Sequence, residues 1–169
     1  MATVRAETSA DIAAVRRVNE LAFGRSNEAA LVDALRNAAD PYISLVAIQS
    51  ERVVGHIFFS PVSIESQDTV PTAMGLAPTA VLPAHQKRGI GSLLIQEGLR
   101  QCESIGCDVI VVVGHPEYYP RFGFVPASQK GLGCEYPVPP ETFLVAELKP
   151  GALTEKPGLV KFHPAFDLV

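Results

Sequence analysis

The chain has 169 residues, 47% of them hydrophobic and 19% charged, with a formal net charge of −4 at pH 7. That composition excludes an intrinsically disordered chain, which needs low hydrophobicity and high net charge. The acidic balance excludes nucleic acid as a partner, because a nucleic-acid binder carries a strongly basic face. The length fits a single domain over residues 1–169, large enough to bury about two-thirds of its unfolded surface without a disulfide or a metal. The densest apolar run, Val109 to Val113, falls far short of the ~18 residues of a membrane helix, and Met1 to Glu7 has no apolar segment of a signal peptide. Cys102, Cys107 and Cys134 are odd in number with no Cys-x-x-Cys spacing, so neither a disulfide framework nor a metal ribbon is expected. The expectation is a cytoplasmic chain with no membrane partner and no metal.

In chain order, Thr3 to Ala6 reads as a short strand, and Thr8-Ser9-Ala10-Asp11 as a capping-box start. Ile12, Val15, Val18, Ala22 and Phe23 then recur at helical spacing. A second helix begins near Ser26, turns Leu31, Val32 and Leu35 inward, and ends at Asp40-Pro41. Ser44 to Gln49 and Arg52 to Ser60 flank a Ser50-Glu51 turn as a hairpin, the second strand running on toward Ile64. Met74 to Leu82 is a strand interrupted by Pro78. Gly89 to Ile105 is the clearest helix, with Ile90, Leu93, Leu94, Cys102 and Ile105 on one side and Gly106 past its end. Asp108 to Val113 has the Val/Ile content of a strand buried on both faces. Glu117 to Phe122 suits a short helix, Val125 to Thr142 a long polar loop, and Phe143 to Leu148 a last strand. This order predicts an α/β (α+β) domain with a mixed central sheet of about six or seven strands and helices on both faces. The motif-bearing core covers about residues 44–148.

Between the Met74–Leu82 strand and the next helix lies Gln86-Lys87-Arg88-Gly89-Ile90-Gly91-Ser92, which overlaps His85-Gln86-Lys87-Arg88, a small basic cluster in an acidic chain. A helix N-terminus offers unpaired N–H groups and about half a positive charge, and Gly89 and Gly91 let a ligand approach closely. A phosphate or pyrophosphate suits this turn, with Lys87 and Arg88 beside it. The alternative is a tight turn whose glycines serve only the bend. The Walker A spacing is absent, and the dinucleotide fingerprint fails because Leu94 stands where its third glycine belongs.

Gln86, Gly89 and Gly91 match the Arg/Gln-x-x-Gly-x-Gly/Ala signature of the GNAT superfamily of N-acetyltransferases. Ala80, Val81 and Pro83 match the end of the strand that precedes it, and Tyr118-Tyr119-Pro120-Arg121-Phe122-Gly123-Phe124 matches an aromatic segment many members carry about thirty residues on. The chain resembles that superfamily in element order over its whole length, and Gly114 to Tyr119 resembles a bacterial subfamily of mostly unassigned substrate. Lys87 departs from it where many members have glycine, as do Ala84 and His85 where an acid and an aromatic are usual.

The resemblance implies an enzyme that moves an acetyl group from acetyl-CoA, its co-substrate, to a primary amine. Tyr119 would be the general acid for the CoA thiolate, with Tyr118 the packing neighbour; the alternative for Tyr119 is packing alone. Backbone groups of Val81 and Leu82 would hold the pantetheine and the oxyanion. Arg88, Gly89, Ile90, Gly91 and Ser92 would contact the pyrophosphate, with Gln86 and Lys87 at the edge. The strand Met74 to Leu82 has no carboxylate to serve as general base. His56, His115, Glu117, Glu135 and a water chain all stay open for that role. The acceptor, a small-molecule amine or a peptide or protein amine, would sit against the Phe23 to Glu28 turn and the Val125 to Thr142 loop. Two other readings stand beside this one: a non-catalytic acetyl-CoA sensor, and an unrelated nucleotide- or phosphate-binding domain. The apolar share also leaves room for a homodimer interface.

Overall fold

Two turn residues with positive φ, Ser50 at 51° and Glu51 at 62°, join the strands the hairpin pattern predicts. Both central residues of a tight hairpin take that conformation, because it matches the right-handed twist of the strands it joins. In the computed structural model, which describes residues 1–67 and 69–169, those strands are β2 (Ile43–Gln49) and β3 (Arg52–Glu65), paired from Ile43↔Phe59 to Gln49↔Arg52 with a shift between Ala47 and Ile48. The chain forms two compact units. The first comprises Met1–Ser60, Ala77–Gly98 and His163–Val169; the second comprises Pro61–Leu76 and Leu99–Phe162.

In the first unit, β1 (Thr3–Ala6) pairs antiparallel with β2. Asp11 starts α1 (Ile12–Phe23) by accepting the Thr8 N–H at 2.8 Å, and both its carboxylate oxygens bind Arg5 at 2.7 and 3.0 Å. The Arg5 guanidinium pulls the Asp11 carboxyl down to about 2. Helix α2 (Asn27–Ala38) buries Leu31, Val32 and Leu35, the three residues its spacing predicts. On α1 the buried positions are Val15, Val18 and the polar Asn19, while Ile12 and Phe23, expected on the same stripe, are exposed at its two ends.

Neighbouring residues of a strand face opposite sides of its sheet. His56 meets Asn19 of α1, whereas the position of Gly55 meets Ile90 and Leu94, which begin α3 (Ile90–Ser104). Helices therefore cover both faces of this part of the sheet, as the element order predicts. A Cβ on Gly55 would lie 3.1 Å from both Ile90 Cγ2 and Leu94 Cδ1, and one on Gly98 would run into the Phe59 ring. These glycines are what let α3 lie close on the sheet.

The inward stripe of α3 is Ile90, Leu94, Ile95 and Cys102, with Gly98 at its centre. Leu93 and Ile105, predicted to share it, are exposed. At 3.6 residues per turn Leu93 falls on the side opposite Gly98, and Ile105 follows the last helical residue.

In the second unit, the start of β4 (Ala73–Val81) pairs parallel with β5 (Val109–Val113) at Ala73↔Val109, Met74↔Ile110 and Gly75↔Val111. Strand β5 runs antiparallel to β8 (Phe143–Glu147), which also carries β6 (Val125–Pro126). Val109 to Val112 are buried, as expected of this run, but Val113 is exposed. The Val125–Thr142 stretch is not a plain loop. It holds β6, β7 (Leu132–Cys134) and helical turns, and β9 (Gly158–Lys161) pairs parallel with β7 and antiparallel with the end of β3. Among the described residues the sheet thus has nine strands, ordered β1-β2-β3-β4-β5-β8-β6 with β7 and β9 off that path, rather than six or seven. Strands of two to four residues are too short to display the alternation that reveals a strand in sequence. Ile64, Ala73, Val109, Val111, Val145 and Val160 form the core here. Among the described residues no helix is long and apolar enough to cross a membrane.

Candidate functional site

Strand β4 ends by engaging one edge and leaving the other. Leu82 donates its N–H to the Val54 carbonyl at 2.8 Å, and its own carbonyl accepts from His85 N–H at 2.8 Å. Backbone groups of successive strand residues point to opposite edges, so the N–H and C=O of Val81 face away from β3. The Val81 carbonyl accepts from Gln86 Nε2 at 3.0 Å. Of the two residues expected to offer backbone groups, Leu82 has its N–H engaged within the sheet, and Val81 presents its N–H to the opposite edge.

Beyond a helical turn at Pro83–His85 the chain enters two left-handed residues, Lys87 at φ 62° and Gly89 at φ 83°. Nothing lies within 4 Å of a Cβ built on Gly89, so its backbone conformation, not lack of space, calls for glycine. The first intrahelical bond of α3 runs from Leu93 N–H to Gly89 O at 3.1 Å. The N–H groups of Gly89, Ile90 and Gly91 precede it and belong to the open first turn of the helix. Gln86, Lys87, Arg88 and Gly89 are exposed, Gly91 and Ser92 half-buried, and Ile90 is buried against Gly55. The structure thus gathers Val81, Leu82 and residues 86–92 into one continuous turn with the anion-binding geometry of a helix N-terminus.

Tyr119 lies in the second unit. Tyr118 and Tyr119 both donate their N–H to the His115 carbonyl, at 3.1 and 3.3 Å, and a helical turn runs over Tyr119–Phe122. The Tyr119 ring meets Tyr118 edge-on at 5.2 Å and Phe124 edge-on at 5.6 Å, and it lies against Gly114. Arg121 stacks over Tyr118, its Cζ 4.6 Å from the ring centroid, and donates to the Tyr118 carbonyl. Tyr118 is thereby tied to Arg121, as suits a packing residue. Gly114 and Phe124, which hold the Tyr119 ring, lie only five residues to either side of it, but an irregular turn has no fixed period from which to read which side chains meet.

Of the two candidate histidine bases, His56 is a core residue. His56 is fully buried, with Nδ1 3.1 Å from Asn19 Nδ2 and Nε2 2.8 Å from Ser44 Oγ. Asn19 is the donor, so Nδ1 accepts and Nε2 donates its proton to Ser44. Burial, aided by the positive charge of Arg36, pushes the imidazole down to about 3. Glu135 is also committed: one carboxylate oxygen accepts the Phe162 N–H at 2.5 Å. His115 and Glu117 are exposed. Among the described residues no cluster of three or more His, Cys, Asp or Glu could hold a metal ion.

A family model described as an acetyltransferase (GNAT) domain matches residues 3–127. The chain belongs to the GNAT family. This GNAT chain is 40% identical over 134 residues to YjhQ of Escherichia coli, an uncharacterized N-acetyltransferase, covering 78% of this chain and 74% of that one. It is 33% identical over 165 residues to YhbS of the same organism, covering 97% and 98%. Among solved structures it resembles Escherichia coli YhbS in complex with CoA (TM-score 0.90, 32% identity, 98% and 92% coverage). It also resembles a GNAT acetyltransferase from Brucella melitensis in complex with acetyl-CoA (TM-score 0.80, 36% identity, 99% of both chains). The chain is an acyltransferase of single GNAT fold, and the glycine turn at Gln86–Ser92 falls inside the matched family region.

Proposed function

We propose that this acyltransferase moves the acetyl group of acetyl-CoA to a primary amine by direct attack, with residues 1–169 acting as one catalytic domain. The observation that carries the reading is the open turn at 86–92, where left-handed Gly89 leads the N–H groups of Gly89, Ile90 and Gly91 into α3. Its chemistry suits a pyrophosphate, and the two similar structures were determined with CoA and with acetyl-CoA. The side chains of Lys87 and Arg88 add positive charge at the turn, and Ser92 closes its first helical residues.

In the proposed reaction the amine nitrogen forms a bond to the thioester carbon, and the C=O electron pair moves onto oxygen. An N–H aimed at a developing oxyanion is worth about 3–4 kcal/mol in other acyl-transfer sites, and the Val81 N–H is the group proposed to serve the acyl and pantetheine end of the cofactor. Collapse of the tetrahedral intermediate breaks the C–S bond, and the Tyr119 hydroxyl gives its proton to the departing sulfur. With His56 buried and Glu135 engaged, the ammonium proton leaves through His115, Glu117 or a water chain. Products are the N-acetyl amine and CoA. The acceptor is a small-molecule amine or a peptide or protein amine, and the three free cysteines suit the reducing cytosol.

The test is calorimetric titration with acetyl-CoA, ATP and NAD, followed by a thiol-release assay over a panel of amines. Binding of acetyl-CoA with amine-dependent release of CoA is expected. Binding without release by any amine would leave a sensor, and binding of ATP or NAD in place of acetyl-CoA would overturn the cofactor assignment.

A further inference from the structure

Gly114 stands immediately after β5, and its φ is not in the left-handed region, so its backbone does not call for glycine. Space does. A Cβ there would run into Cε2 of the Tyr119 ring and come within 2.9 Å of Cδ2 and 3.2 Å of Cζ, the carbon that bears the hydroxyl. The backbone has little freedom to yield, because Gly114 donates its N–H to the Thr142 carbonyl at 2.9 Å, continuing the ladder in which Val113 pairs with Phe143. The ring is held from other directions as well. Phe124, itself buried, meets it edge-on at 5.6 Å and Tyr118 at 5.2 Å.

We propose that Gly114 is a positioning residue for acetyl transfer: the missing side chain forms the seat of the Tyr119 ring and so sets where the hydroxyl stands. This rests on the reading of Tyr119 as the general acid. Any side chain at 114 pushes the ring off its seat, and a catalytic group misplaced by about 1 Å loses on the order of 100-fold in rate.

Two double-mutant cycles test it. The first measures kcat. Gly114→Ala is expected to lower kcat by roughly 100-fold while the KM for acetyl-CoA stays within about threefold, and to cost nothing further in a Tyr119→Phe chain, which has already lost the hydroxyl. The second measures Tm. Gly114→Ala is expected to lower Tm in the parent chain but not in a Tyr119→Ala chain, where no ring meets the new methyl. Should Gly114→Ala fail to fold alone, the fold is expected to return with Tyr119→Ala, and Phe124→Leu, which opens room on another side of the ring, to restore part of kcat. A Tyr119→Phe enzyme as fast as the parent would overturn the acid reading itself. A slow Tyr119→Phe enzyme that Gly114→Ala slows another tenfold, or a Gly114→Ala enzyme as fast as the parent, would overturn the positioning role alone.

Discussion

Gln86 reaches back across the turn that it opens and donates its side-chain amide to the carbonyl of Val81 at 3.0 Å. The first residue of the glycine motif therefore ties the turn to the end of β4. A neutral hydrogen bond of this kind is worth about 0.5–1.5 kcal/mol. Gln86→Ala is expected to raise the KM for acetyl-CoA by roughly 2- to 10-fold with kcat within about twofold, the pattern of lost uniform binding. Gln86→Arg is expected to keep the parent KM, and Gln86→Glu, which sets an acceptor against a carbonyl, to be weaker than either. Steady-state kinetics against acetyl-CoA checks the order.

Lys87 lies in the left-handed region at φ 62°. That conformation costs a residue with a Cβ about 1–2 kcal/mol. Lys87→Gly removes the strain but gives the unfolded chain more freedom, worth about 0.5–1 kcal/mol. The two nearly cancel, so stability is expected to stay within about 1 kcal/mol of the parent. Lys87→Val, branched at Cβ, is expected to lose about 1–3 kcal/mol. Urea unfolding of the three chains decides; a valine chain as stable as the parent would remove the strain argument.

His56 makes stability depend on acid. Its pKa falls from 6.5 to about 3 on folding, because burial and then the charge of Arg36 oppose the imidazolium. The unfolded chain therefore binds a proton below pH 6.5 that the folded chain refuses. The contribution is whole above pH 6.5 and drains as pH falls from there toward 3, with a limiting slope of about 1.4 kcal/mol per pH unit. Asp11, held down to about 2 by Arg5, adds its own loss below its ordinary value of 3.8. Asn19, Ser44 and Arg36 are the groups that face or act on the ring, and the first two do not titrate. His56→Gln removes the titration, so its stability is expected to be flatter between pH 6.5 and about 4, read by urea unfolding at each pH. Equal slopes in both chains would assign the acid loss to other groups.

The glycine turn was legible because its message is local. Gln86, Gly89 and Gly91 lie within one turn of chain, and the left-handed φ of Gly89 and the first turn of α3 follow from their spacing. Long helices and strands were legible for the same reason, since Leu31, Val32 and Leu35 repeat at a period the sequence displays. Where the sequence misled, distant partners decided. Leu93 faces out because the inward stripe of α3 is centred on Gly98, which has no side chain to announce it. Asn19 is buried because His56, far along the chain, takes its amide hydrogen. Strands β6, β7 and β9 hid in short, proline-rich or polar segments whose pairing is purely tertiary. Around Tyr119, the motif marks the tyrosine, but the glycine beneath it and the phenylalanine beside it become visible only in the fold.

The measurement that bears most directly on the proposed chemistry is amine-dependent CoA release by the parent chain beside Tyr119→Phe, each at saturating acetyl-CoA. A positioned general acid contributes roughly 10²- to 10⁴-fold in rate. The Tyr119→Phe enzyme is therefore expected to fold, to keep its affinity for acetyl-CoA, and to lose at least about 100-fold in kcat. A Tyr119→Phe enzyme whose kcat stays within a few-fold of the parent would contradict the assignment of Tyr119 as the group that protonates the departing thiolate.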